Sequence, residues 1–405
     1  MKILDRRVVF LLLSLIICIA PVPSAHAQDP SEVTTRIDYR FGEELTFQAE
    51  ISADRPVLRA TVFYRASNAS TTAYAFAEFM DEDGTYAEAK IDLSDVGFPP
   101  FADILYWWQL DFSETESYST DTAVFTYRDN RIAWQFLQQD QITVYWSEAG
   151  VEYGQTAMDI ARLALVDIAQ DLALPLPSSL AIYIYPSANE LQSALALTGR
   201  RWIAGQALPE LGVVLLALPA SSEAVITLER SLPHEITHVL LYARMGTSYA
   251  NLPGWLNEGL AVMQEQDPDP LYTVALEQAA RENRLLSIQS LCAGFPYESE
   301  TAMLAYAQSH GFVQYLRDIY GVGGIVRLLD AYQEGTSCEG GVQRVFMRSL
   351  DQLQTEWLNS SISAPQAASS YQTLLIWLLV LLPSGLGLII AIKVRSSNQY
   401  QMRKE

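Results

Sequence analysis

Histidine, cysteine and positive charge are all scarce in this chain. Only four of its 405 residues are histidine and three are cysteine. A metal site built mainly from thiolates is excluded, because neither Cys292 nor Cys338 has a neighbour at metal-ligand spacing. Lysine and arginine number 26 against 47 aspartates and glutamates, a formal net charge of −21. That balance rules out nucleic acid as a partner, since phosphate backbones are bound by cationic surfaces. No internal repeat is present.

The two ends differ from the rest. Lys2, Arg6 and Arg7 precede an apolar run from Val8 to Ala20, and Ala25-His26-Ala27 offers a small-residue cleavage site before Gln28. Residues 1–27 thus have the form of a secretory signal peptide, with an uncut signal anchor as the alternative. Cys18 follows Leu15-Ile16-Ile17 rather than a small residue, which argues against a lipid anchor. A second apolar run, Leu374 to Ile392, is long enough for a transmembrane helix over 372–392 and is followed by Lys393, Arg395, Arg403 and Lys404. The positive-inside rule predicts a cell-membrane protein with a cytoplasmic tail at 393–405 and the remainder outside the cytoplasm. Residues 28–392 carry 19 basic and 45 acidic side chains, a net charge of about −26. Anionic lipid would repel that body everywhere except at the tail.

Against this scarcity, two of the four histidines fall within five residues, His234-Glu235-Ile236-Thr237-His238. Helical positions i and i+4 lie one above the other, so both imidazoles can reach one metal ion with Glu235 beside them. Ile236, Val239, Leu240 and Ala243 form an apolar stripe on another face, and Gly246 is placed to end the helix. Pro233 fits best near the helix start with Ser231 as N-cap; a kink within a longer helix is the other arrangement.

A hydrolytic zinc site keeps three protein ligands and one position for water. The third ligand is expected downstream, where Pro253-Gly254-Trp255-Leu256-Asn257-Glu258-Gly259 opens a second helix. Glu258 is that candidate. Nineteen residues lie between it and His238, enough for the end of one helix, a loop and the start of the next.

LPHEITHVLL followed by GWLNEGLAVMQE resembles the gluzincin metallopeptidases of the peptidase MA-like clan, and WLNEG is similar to the aminopeptidase N type. The resemblance implies Zn2+ held by His234, His238 and Glu258, with Glu235 as general base. It also implies an α+β, thermolysin-like fold whose substrate lies between a sheet-bearing half and a helical half. The stretch Ala305 to Leu316 is similar to small bacterial domains of the same clan. Two features depart from the pattern. No GAMEN-type segment precedes the zinc helix, so amino-terminal recognition is unsupported. Val262 stands where a thermolysin-like Asp would follow the glutamate ligand by four residues.

Peptide hydrolysis through such a site needs a base for the attacking water and a donor for the developing oxyanion. Glu235 suits the first role. Tyr306 and His310, one turn apart on a helix expected from near Ser299 to Gly321, are both candidates for the second.

Residues 28–131 read as an all-β sandwich of immunoglobulin or fibronectin-III character. Leu45, Phe47, Ala49 and Ile51 alternate with polar residues, as do Ala87, Ala89, Ile91 and Leu93, and Ile104 to Phe112 form another such row. Residues 132–358 read as the metallopeptidase domain, with strands at Ile142 to Trp146, Ala181 to Tyr185 and Gly212 to Leu216 and a helix at Tyr153 to Leu172. Gly212 to Leu216 is expected at a sheet edge, where an extended peptide could pair with it. Residues 359–371, rich in Ser and Ala, form a stalk. Cys292 and Cys338 are either a disulfide of the exported domain or two buried thiols.

The reading is therefore a membrane-anchored, outward-facing zinc metallopeptidase acting on a peptide or protein substrate, with its oligomeric state left open. The alternative is a surface-binding or sensory protein that retains a peptidase fold without turnover.

Overall fold

A computed structural model describes residues 31–93, 98–195, 205–221, 223–296 and 299–361. The expected signal peptide, most of the stalk, the apolar run and the tail lie outside the described residues. Among the described residues no helix is long and apolar enough to cross a membrane.

The N-terminal part is two antiparallel sheets. One has the order β1 (Ser31–Arg40), β2 (Glu44–Ala53), β6 (Tyr86–Asp92), β5 (Glu78–Phe79). The other has β4 (Ala73–Phe76), β3 (Arg59–Ala66), β7 (Asp103–Asp111), with β8 (Ser117–Ser119) and β9 (Ala123–Thr126) sharing the outer edge of β7. Alternate side chains of a strand point to opposite faces, so the period-two rows converge between the layers. Leu45, Phe47, Val62 and Trp108 are fully buried there.

The second part is mixed. A five-stranded sheet runs β10 (Gln135–Gln139), β11 (Ile142–Trp146), β12 (Leu180–Tyr185), β14 (Val213–Ala217), β13 (Gly205–Leu208). Its central strands are parallel, and β10 and β13 are antiparallel at the edges. Helix α1 (Val151–Asp171) covers one face together with α3 (Ala224–Met245), and α2 (Ala188–Leu195) lies on the other. The remaining helices are α4 (Gly254–Met263), α5 (Pro270–Arg281), α6 (Ser299–Gln333), α7 (Cys338–Phe346) and α8 (Leu350–Ser361). Gly321 interrupts α6 with φ 69° and ψ 176°, the break expected there. Helix α8 extends through Ser361, so the first residues assigned to the stalk are helical.

Both faces of the mixed sheet are buried, in different cores. Leu180, Ile182 and Ile184 of β12 pack with α1 and α3, whereas Tyr183 and Tyr185 join the core of the β-sheet layers. Tyr183 meets Phe101 at a ring separation of 4.4 Å, and the Tyr185 hydroxyl donates to the buried Asp129 carboxylate at 3.1 Å.

Two local expectations are corrected. The strand expected at the sheet edge, β14, lies between β12 and β13, and among the described residues β13 forms the edge on that side. Pro233 is not near a helix start. Helix α3 begins at Ala224, and the proline sits in its interior. Proline has no N–H for the carbonyl four residues back. The orphaned Glu229 carbonyl is satisfied from outside the helix, by the backbone N–H of Gln266 at 3.3 Å.

Candidate metal centre

Helix α3 carries His234, Glu235 and His238 on its way through the core. Ile236, Val239 and Leu240 are buried as the stripe required, but Ala243 is exposed, and Gly246 ends the helix with φ 56°. The Gly246–Asn251 turn reverses the chain into α4, whose first turns return Glu258 to the histidines. Glu258 Oε2 is 3.5 Å from His234 Nε2 and 3.6 Å from His238 Nε2. One ligand atom from each of the three residues lies within 4.8 Å of the others. The sequence-predicted triad is thus brought together.

The opposite ring nitrogens are held just as definitely. His234 Nδ1 lies 2.8 Å from Glu265 Oε1, and His238 Nδ1 lies 3.0 Å from Asn257 Oδ1. Carboxylate and amide oxygens are acceptors, so each Nδ1 carries the proton and each Nε2 turns its lone pair inward. The Tyr249 hydroxyl donates to the same Asn257 oxygen at 3.1 Å. Asn257, Glu265 and Tyr249 were not singled out from the sequence. Asn257 directly precedes Glu258, and Glu265 follows just past the end of the helix that carries it, which is the signal that could have found them. Val262, at the position where a carboxylate was missed, is core; Glu265 supplies the carboxylate instead.

Electrostatics suit a cation at this point. Burial opposes charge on His234, but hydrogen bonds to Glu258 and Glu265 and the nearby Glu235 outweigh it and raise its pKa to about 10, so the Nε2 position attracts positive charge, either a proton or a metal ion that displaces it and takes the lone pair. Burial also opposes the Glu258 carboxylate, yet the two imidazoles hold it below its ordinary value. Two inward-facing imidazole nitrogens and a carboxylate oxygen form the donor set that zinc takes in hydrolytic sites. The residues present therefore fit a zinc ion.

Glu235 sits beside this group. Burial raises its pKa, the two histidines counteract this, and the backbone N–H of Ala207 in β13 donates to it. Gly205 makes room for the carboxylate: a β-carbon there would lie 2.7 Å from Glu235 Oε1.

Tyr306 packs beside His234, and His310 lies near Glu265. The Tyr306 ring lies edge-on to His234 at 6.2 Å and packs on Phe295 at 4.8 Å. Burial, reinforced by Glu258 and Glu235, pushes its hydroxyl pKa well up, so it remains a donor. His310, one turn on, has a pKa lowered by burial and opposed by Glu265, and no hydrogen bond joins it to the triad among the described residues.

Cys292 and Cys338 form a disulfide. It lies under the start of α4, where the Gly254 N–H donates to the Cys292 carbonyl at 3.2 Å.

Residues 160–363, half of the chain, match the sequence model of the Peptidase MA superfamily. No curated protein matches the chain. The matched span runs from within α1 through α8 and contains every residue of the site just described, and the chain belongs to the Peptidase MA superfamily.

Proposed function

We propose that the protein is a zinc metallopeptidase of gluzincin type, anchored in the cell membrane with its catalytic part outside the cytoplasm. The observation that carries this reading is the convergence of His234 Nε2, His238 Nε2 and Glu258 Oε2, with the Glu235 carboxylate alongside. Bound there, zinc would polarise the substrate carbonyl and lower the pKa of water to about 7.

The chain's own groups do the rest. Glu235 takes the proton from the attacking water and returns it to the leaving nitrogen, a shuttle favoured by the upward pKa that burial gives it. The Tyr306 hydroxyl donates to the oxygen that gains charge as the carbonyl becomes tetrahedral. An extended peptide would pair with the free edge of β13, which passes Glu235 at Ala207. Pairing of that kind supports cleavage within a chain rather than at its amino end, in keeping with the absence of a GAMEN-type segment.

The N-terminal layers support an immunoglobulin-type sandwich, since β1, β2, β6 and β5 follow the A-B-E-D order of that fold. The membrane assignment rests on the apolar runs of the sequence.

The test compares wild type with Glu235→Gln. Both should bind one zinc, and only wild type should cleave a peptide library. Equal zinc with no cleavage by either protein would favour the binding or sensory alternative.

A further inference from the structure

Proline inside the metal-binding helix is a departure from good helix design, and it stands directly before the first ligand. Its effect is felt at one carbonyl. The Pro233 ring leaves Glu229 without an intrahelical donor and turns that carbonyl outward, where the Gln266 N–H donates to it at 3.3 Å. Arg230, next on the same turn, donates from Nε to the Asp267 carbonyl at 3.0 Å and pairs with Asp269 at 3.4 Å. Successive residues of α3 thus clamp the turn that leaves α4. That turn needs holding: Asp267 has φ 91°, a conformation that side chains other than glycine rarely adopt. Its first residue outside α4's capping position is Glu265, whose carboxylate is 97 % buried and accepts from His234 Nδ1.

We propose that Pro233 is a positioning residue for the metal centre: it frees the Glu229 carbonyl to anchor Gln266 and so fixes Glu265 against His234. The inference rests on the zinc reading above. Alanine at 233 would supply the missing N–H, draw the Glu229 carbonyl back into the helix and release the turn. A residue that mattered only for helix stability would behave in the opposite way, because proline is the poorest residue in a helix interior and alanine the best.

The experiment measures zinc affinity of the full-length protein by competition with a chelating dye, together with the thermal midpoint of the zinc-free protein. Pro233→Ala should bind zinc about tenfold more weakly, the size of effect typical for supports of a metal-ligating histidine, while its zinc-free midpoint stays level or rises. In a Glu265→Ala background the same substitution should cause no further loss. Unchanged affinity in Pro233→Ala, or an equal loss in both backgrounds, overturns the proposal while leaving the zinc site intact. Absence of zinc uptake by wild type overturns the metal reading itself and the proposal with it. Should Pro233→Ala not fold, Arg230→Ala cuts the neighbouring tie and keeps the proline; wild-type zinc affinity in that variant also overturns the proposal.

Discussion

Gly205 and Glu235 face each other so closely that a β-carbon on the glycine would lie 2.7 Å from the carboxylate Oε1 and 2.8 Å from Leu216 Cδ2. The edge strand of the sheet and the Glu235 carboxylate on the helix are therefore fitted to one another, and only a residue without a side chain completes the fit. Gly205→Ala should displace the Glu235 carboxylate and lower kcat about a hundredfold, the scale of an ångström-level misplacement. His234, His238 and Glu258 are untouched, so metal stoichiometry should stay at the wild-type value. Steady-state kinetics beside metal analysis would separate the two effects.

Tyr306 and His310 make opposite predictions. Removing one oxyanion donor costs about a hundredfold to a thousandfold in kcat, so Tyr306→Phe should fall by that factor at unchanged zinc content. His310→Ala should fall far less. Because burial raises the phenol pKa above its ordinary value near 10, wild-type activity should show no loss from Tyr306 ionisation up to that pH. A pH–rate profile of the two variants would show which residue serves.

The disulfide joins residues 46 apart in sequence. Closing a loop of that length stabilises a fold by about 3 to 4 kcal/mol through the chain entropy of the unfolded state. Cys292→Ser with Cys338→Ser should lower the thermal midpoint accordingly, and a reducing agent should do the same to wild type. Calorimetry of the full-length protein, oxidised and reduced, would measure it.

Asp111 offers a pH test away from the metal. The Gln109 amide is the main influence holding its carboxyl below the ordinary range, burial opposes it, and Arg59 adds to the lowering. A depressed carboxylate stabilises the fold above its unfolded pKa and loses that contribution as pH falls through the folded value. Arg59 is mostly exposed, so the contribution is at most about 1 kcal/mol. The stability of wild type over Asp111→Asn should be greatest above about pH 4 and shrink below it, as urea unfolding at several pH values would record.

The features legible in the sequence are those set by local repeat. The i, i+4 histidines, the inward rows of β2, β6 and β7, and the break at Gly321 follow from periods of 3.6 and 2 or from a single glycine. Glu258 was legible because a proline, an apolar run and one carboxylate coincide. What escaped depends on partners distant in sequence. Nothing local marks Gly205–Leu208 as a strand, since four residues ending before Pro209 carry no period, and without β13 the strand β14 reads as an edge. Asn257 and Glu265 look like ordinary polar helix residues until the imidazoles arrive beside them. Pro233 fits a helix start better than a kink in the sequence, because a sequence cannot show that another segment will satisfy the carbonyl it abandons.

Residues Tyr183 and Tyr185 place a limit on how this molecule can be divided. A fragment beginning after residue 131 would keep His234, His238 and Glu258 but lose part of the cover on the aromatic side of β12, removing Phe101 from Tyr183 and the Asp129 carboxylate from the Tyr185 hydroxyl. Such a wet, sticky surface invites self-association. The smallest piece that should remain monodisperse in solution starts near Ser31, because the N-terminal layers share a core with the sheet that carries β13.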